Sequence, residues 1–303
     1  MSDPYRILIP YFTRSEWGPL TPLLDVIKKD ERLEAVTVAK KMDSLQAISD
    51  VLAVLAPDMV LCGFDRPEMV PVAYGAYHKH IPIAQIFAGD IAGGAFDDAD
   101  RFTISNYADL LFCSDFPQFE RMKKALNWKY EIAESHEIYI SGSTHFDDMR
   151  FEESDWPAPY VLVLYNPPSL SYEIIMPLEE IIEEELAEIE RVCQGQKVLW
   201  AQPNGDKGSD IVRRFAEKMR NTDLLPEMSR WNFLGIMQRA SLFVGNSSAM
   251  FYEAPYLNVP IKQIGIRNRR REPISKEMCV PGASKYICDY IVKHLDWRKQ
   301  DGT

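Results

Sequence analysis

The sequence predicts an α/β protein built as two parallel-sheet domains in series. Short apolar runs alternate with longer stretches whose apolar residues recur at helical spacing, the pattern of βαβ units with a sheet covered on both faces. The chain has 303 residues, about twice an average domain of roughly 150. The pattern breaks at 151–159, FEESDWPAP, where acid and proline interrupt it as a linker between compact units does. These observations set a first domain at 1–152 and a second at 158–303.

The first strand is RILIPYF, 6–12, and a helix follows with Leu20, Leu23, Leu24 and Ile27 on one stripe. A strand at 33–38 leads to a helix carrying Leu45, Ile48, Leu52 and Leu55, and 58–63 supplies the third strand. A helix through Ala73 and Tyr77, a strand at 81–87 and a glycine-rich loop at 89–94 come next. A helix at 98–107, a strand at 110–114, a helix from Phe116 and a strand at 138–141 complete the first half.

The second half restarts with the strand 160–165 and the most acidic helix of the chain. Leu178, Ile181, Ile182, Leu186 and Ile189 form its apolar face, and Glu179, Glu180, Glu183, Glu184 and Glu188 its solvated one. Strand 197–201, helices 211–219 and 231–240, strand 242–245, helix 249–257 and strand 261–264 follow. In two such domains the default ligand site is a cleft where strand C-termini and helix N-termini converge.

With 34 Lys plus Arg against 45 Asp plus Glu, the formal net charge is −11. At 46% hydrophobic and 26% charged, the chain has the material for a core, which excludes a wholly disordered protein. The acidic excess argues against nucleic acid or anionic membrane as a partner, although 267–271 is locally basic. The start, MSDPYRILIPYF, is no secretory leader, and no run reaches the ~20 apolar residues of a membrane span, so a soluble cytoplasmic protein is expected. Cys62, Cys113, Cys193, Cys279 and Cys288 lack C-x-x-C or Cys/His ligand spacing and read as reduced, mostly buried thiols.

GNSSAMFYEAP, 245–255, follows a strand and opens a helix. Small hydroxyl residues at a helix start suit either a phosphate or simple N-capping by Ser247 or Ser248. Glu253, one to two turns on, is either a surface glutamate or a carboxylate placed to accept from a ribose diol.

GNSSAMFYEAP, the preceding AQPNGDKGSDI and the following IGIRNRRREP resemble, in that order, three segments of the UDP-N-acetylglucosamine 2-epimerases, especially their hydrolysing, sialic-acid-pathway branch. In the first half FTRSEWGPLTPLL is similar to the family's early Arg-containing loop, CGFDRPE to its Gly-Asp-Arg segment, AGDIAGGAFDDADR to its glycine-rich acidic loop, and SGSTHFDDM to the element closing its first domain. The resemblance implies a GT-B type fold, two Rossmann-like domains with a UDP-sugar between them, and a homodimer made through first-domain helices. Carried over, Ser247, Ser248 and Glu253 take diphosphate and ribose, with Asn166, Asn204, Asn246, Arg267 and Arg271 around them and Arg14 reaching the phosphates from the first domain. A diphosphate in an acidic protein needs local cations, and Arg offers forked hydrogen bonds; otherwise 267–271 is an exposed basic loop.

The family's chemistry removes the C2 proton of the sugar, expels UDP by elimination, and adds water or UDP to the double bond. Carboxylates serve as acid and base, with Asp65 and Asp97 at the matching positions and Asp90 as a third candidate, the nearest substitute for the carboxylate absent at position 87. Without the resemblance, Asp65 reads as a turn-stabilising aspartate. The reaction calls for no metal and no organic cofactor. Departures are visible: Phe87 stands where the family often has Glu, Asn166 where it has His, Ala249-Met250 where it has Ser-Gly, and Phe64 is displaced or extra. Among His78, His80, His136, His145 and His294 no replacement is evident, although His145 lies in the loop closing the first domain.

Three readings follow: an epimerase-like enzyme acting on a UDP-HexNAc, hydrolysing or not; a glycosyltransferase using the same donor; and a nucleotide-sugar binder without turnover. A dehydrogenase is disfavoured, because no G-x-G-x-x-G follows the first strand.

Overall fold

The computed structural model describes residues 3–12, 14–38, 44–64, 66–94, 97–128, 137–169 and 176–302. Its packing forms two units. The first comprises Met1–Asp90, Asp97–Asp148 and Glu277–Thr303; the second comprises Ile91–Phe96 and Met149–Lys276. The second domain expected from sequence, 158–303, thus includes residues 277–303, which pack with the first unit.

In the first unit β1 (Tyr5–Pro10), α1 (Arg14–Ile27), β2 (Leu33–Val38), α2 (Leu45–Leu55), β3 (Met59–Cys62), α3 (Met69–His78), β4 (Ile83–Ile86), α4 (Asp97–Tyr107), β5 (Leu110–Cys113), α5 (Phe116–Ala125) and β6 (Glu137–Ile140) follow the expected alternation. All pairings are parallel, in the order β2-β1-β3-β4-β5-β6. Strand residues alternate between faces because successive side chains point to opposite sides of the sheet. Ile7, Ile9, Met59 and Leu61 meet Leu20, Leu23, Leu24 and Ile27 of α1; Leu8, Val60 and Cys62 meet Ile48 and Leu52 of α2 and Val72 and Ala76 of α3.

The second unit contains β7 (Val161–Leu164), α6 (Leu178–Cys193), β8 (Val198–Trp200), α7 (Ser209–Lys218), β9 (Thr222–Leu224), α8 (Arg230–Gln238), β10 (Leu242–Gly245), α9 (Glu253–Leu257) and β11 (Ile261–Gln263). Its parallel sheet runs β11-β10-β7-β8-β9. Val161, Val163 and Trp200 pack under α6 and α7, while Leu162, Leu199 and Phe243 pack under α8. The helix expected over 249–257 is two pieces, a 3-10 turn at Ser248–Met250 and the five-residue α9.

A final helix, α10 (Ala283–Asp301), had no counterpart in the sequence reading and completes the first unit. Ile287, Ile291 and Leu295 join the core formed by α1 and the sheet. Asp147 caps it: the carboxylate accepts from the N–H groups of Ala283 at 3.1 Å and Ser284 at 2.6 Å, where the positive end of the helix dipole favours an anion.

Both sheets reverse strand order once, between β1 and β3 and between β7 and β10. In open parallel sheets such reversals splay the connections apart at the carboxyl ends of the strands, and ligands bind there.

Candidate nucleotide-sugar site

At the β7/β10 reversal the chain leaves β7 through Tyr165 and Asn166 and leaves β10 through Asn246. The Asn246 carboxamide exchanges two hydrogen bonds with the main chain of Asn166: Oδ1 accepts its N–H and Nδ2 donates to its carbonyl, both at 2.8 Å. Asn246 has no exposed surface, so its side chain clamps two strand ends together. Asn166 in turn accepts the Asn204 N–H on Oδ1 at 2.8 Å, bringing in the loop after β8. Asn204 donates from Nδ2 to Asp206 at 2.5 Å, and Asp206 pairs with Arg267 Nη1 at 2.7 Å. Asn268 donates to the Asn246 carbonyl at 2.5 Å and accepts from Arg271 Nε at 2.9 Å. Asn166, Asn204, Asn246, Arg267 and Arg271, selected separately in sequence, are therefore members of one hydrogen-bonded ledge.

Ser247 is buried and caps the 3-10 turn, its Oγ accepting from the Ala249 N–H at 3.2 Å; Ser248 beside it is exposed. Glu253 is buried, and its Oε1 lies 2.6 Å from Nη1 of Arg230 at the start of α8.

The basic loop is pinned from two sides. Buried Glu185 on α6 accepts from the Tyr165 hydroxyl at 2.6 Å and from the Ile266 N–H at 3.1 Å. Burial raises the Glu185 carboxyl above its ordinary value, and these two hydrogen bonds pull less strongly the other way. On the other side lies the glycine-rich segment: Arg269 Nε donates to the Gly93 carbonyl at 3.1 Å. A Cβ on Gly94 would overlap the Ile266 carbonyl, so this approach requires glycine.

In the first unit, Arg14 opens α1 after β1, beside the β1/β3 reversal; its side chain lies outside the described residues, as does the whole of Asp65 after β3. Asp90 is buried, and its carbonyl accepts from Arg101, which also approaches Asp98 at 3.3 Å. Arg121 donates to the neighbouring Gly89 carbonyl. Two buried or half-buried arginines thus shape the loop that holds Asp90. Asp97 is half-buried at the start of α4. Asp100, one turn on, is raised above the usual carboxylate range by burial and then by the Glu68 carboxylate. Phe87 takes a left-handed φ of 57° and packs against Phe64, with ring centroids 5.9 Å apart.

Among the described residues no group of three or more His, Cys, Asp or Glu side chains is placed to hold a metal ion, and no helix is long and apolar enough to cross a membrane. Cys62, Cys113, Cys193 and Cys288 are buried thiols, with Cys62 pushed up to about 12 by desolvation, which makes it a poor nucleophile.

The family model described as UDP-N-acetylglucosamine 2-epimerase matches residues 28–301, spanning both units. The chain belongs to this family. A GDP/UDP-N,N'-diacetylbacillosamine 2-epimerase (hydrolyzing) of Campylobacter jejuni is 26% identical over 256 residues, 78% of this chain and 64% of that protein, so the chain spans less than two thirds of that relative's length. A UDP-N-acetylglucosamine 2-epimerase of Neisseria meningitidis is 26% identical over 340 residues, covering 96% of this chain and 85% of that one. The structure of the UDP-N-acetylglucosamine 2-epimerase from Rickettsia bellii superposes with a TM-score of 0.70 at 15% identity over 98% of each chain, a likeness of fold. The GT-B-like architecture of two parallel-sheet α/β domains is that of the family's solved structures.

Asp206, Arg230, Glu185 and Asn268 support the candidate site through their bonds and were passed over in the sequence. Asp206 lies inside the quoted AQPNGDKGSDI segment, and its Asn-Gly-Asp turn is the local signal. Arg230 and Glu185 carry no local signal, because their partners Glu253 and Ile266 are distant in sequence.

Proposed function

We propose that this chain is a nucleotide-sugar 2-epimerase acting on a UDP-HexNAc, and that it hydrolyses its substrate to the 2-epimeric sugar plus UDP. The family match through 28–301 carries this reading, and the hydrolysing Campylobacter relative supports the hydrolytic outcome. In it, the ledge of the second unit takes the nucleotide: exposed Ser248 and capping Ser247 face the diphosphate, Arg267 and Arg271 balance its charge, and Glu253 meets the ribose while Arg230 fixes its orientation. Asn246 acts through Asn166, since both polar atoms of its side chain are bonded to that residue's main chain. Asp65, Asp90 and Asp97 of the first unit handle protons, with Arg14 assisting at the phosphates. The family resemblance further supports a cytoplasmic homodimer.

The test is a proton NMR time course in D₂O with UDP-N-acetylglucosamine, repeated with UDP-N,N'-diacetylbacillosamine. Deuterium at C2 together with free UDP and the 2-epimer is expected. Phe87 and Asn166, at positions where the family resemblance leads one to expect acid-base groups, favour a second reading, a nucleotide-sugar binder without turnover. That reading predicts a persistent C2 proton with retained UDP binding. Light scattering checks the dimer.

A further inference from the structure

We propose that His145 is a proton-transferring catalytic residue of the first unit and that Ser143 positions it. The inference rests on the epimerase reading and assigns it a base that lies outside the aspartate set.

His145 stands on the 3-10 turn Thr144–Phe146, directly beyond the carboxyl end of β6, the side of an open parallel sheet where ligands bind. The other described histidines lie elsewhere. His78 ends α3, His80 follows it in the turn leading into β4, and His294 is buried within α10 beside Trp297.

Ser143 is fully buried, its Oγ lies 2.8 Å from His145 Nδ1, and the same oxygen accepts the His145 main-chain N–H at 3.3 Å. A hydroxyl without exposed surface cannot follow a swinging ring, so it fixes the plane of the imidazole. With Nδ1–H donating to this oxygen, the lone pair of the neutral ring lies on Nε2. A base oriented by a buried partner is the arrangement that proton abstraction requires.

The Phe87 ring meets the imidazole at a centroid distance of 5.2 Å and an angle of 61°, and Phe64 backs Phe87. These aromatic rings exclude water from one side of the histidine, yet the residue is only half-buried and remains within a ligand's reach. The aromatic side chain at position 87 thus forms the wall of an imidazole site.

In the step itself, Nε2 takes the proton from C2 of the sugar. The C–H electron pair becomes the C1–C2 double bond, and the C1–O pair leaves with UDP. Water then adds across the double bond, hydroxyl to C1 and hydrogen to C2, and the imidazolium returns its proton to solvent.

The experiment combines ¹⁵N-resolved histidine NMR with C2 exchange in D₂O, using UDP-N-acetylglucosamine and UDP as probes. In the wild type the His145 ring is expected as the Nδ1–H tautomer, and its signals are expected to shift with the nucleotide sugar but not with UDP. His145→Gln is expected to slow deuterium entry at C2 by about 100-fold while UDP affinity stays within about twofold, and His145→Asn serves as the second variant should the first fold poorly. Ser143→Ala is expected to change the tautomer balance and lower kcat with little change in KM. An Nε2–H tautomer, a ring indifferent to the sugar, or a His145→Gln enzyme within about threefold of wild type overturns the role of His145 alone. A wild type that leaves the C2 proton in place overturns the reaction, and this step with it.

Discussion

The main-chain N–H of Arg270 donates to the carbonyl of Ala92 at 3.0 Å, which makes the glycine-rich segment and the basic loop one structure within the second unit. The glycines of 93–94 therefore serve close backbone approach, and their neighbours hold the arginine loop in place. A Gly94→Ala substitution forces the Ile266 carbonyl and the Arg267 backbone to move. The expected result is a loss of about 1–3 kcal/mol in urea unfolding and faster protease cleavage at 266–271.

Asn246 satisfies both main-chain polar groups of Asn166. Asn246→Ala leaves a donor and an acceptor without those bonds at the reversal of the sheet, at a cost of about 2–3 kcal/mol. Asn246→Asp keeps the acceptor but sets a buried carboxylate oxygen against the Asn166 carbonyl, so at neutral pH its loss is at least as large. Chemical denaturation compares the three proteins, with wild type expected to be the most stable.

Arg267 bonds to both the Asp206 carboxylate and the Pro167 carbonyl through Nη1, which leaves the fork of the guanidinium oriented. Arg267→Ala is expected to weaken UDP binding by about tenfold. Arg267→Lys is expected to recover little of this, because an ammonium group cannot hold the planar two-point geometry. Calorimetry with UDP separates the variants, and a lysine variant that binds like wild type would falsify the forked contact.

Glu185 makes stability depend on pH. Its folded-state value is raised above that of the unfolded chain, chiefly by burial, so the folded protein binds the proton more tightly. Its contribution is fully present below the unfolded carboxylate value and is lost as pH rises through the folded value. In Glu185→Gln this slope disappears, and the variant gains on the wild type from acid toward neutral pH. Thermal unfolding across that interval is the measurement, and parallel curves for the two proteins contradict the assignment.

The strands of both sheets were legible because buried parallel strands are apolar runs, as in MVLC at 59–62 and VLVL at 161–164. β9 was not, since Thr222–Leu224 is a three-residue edge strand with a polar centre. In α10, Ile287, Ile291 and Leu295 do recur at helical spacing, but the tyrosines and charges between them blur the stripe, and no local rule says that the helix belongs to the first sheet. The asparagines of the site were identifiable one by one. What sequence could not convey is that their carboxamides are spent on each other's main chain, since that depends on which strand ends become neighbours.

The placement of α10 also orders events during synthesis. Residues 149–276 are translated before the helix that seals one face of the first sheet, so the second unit can collapse on its own contacts while Ile7, Ile9 and Leu61 still lack that cover. A nascent chain stalled near residue 280 is therefore a half-roofed β-sheet waiting on a ribosome, the stage at which a chaperone has most to hold.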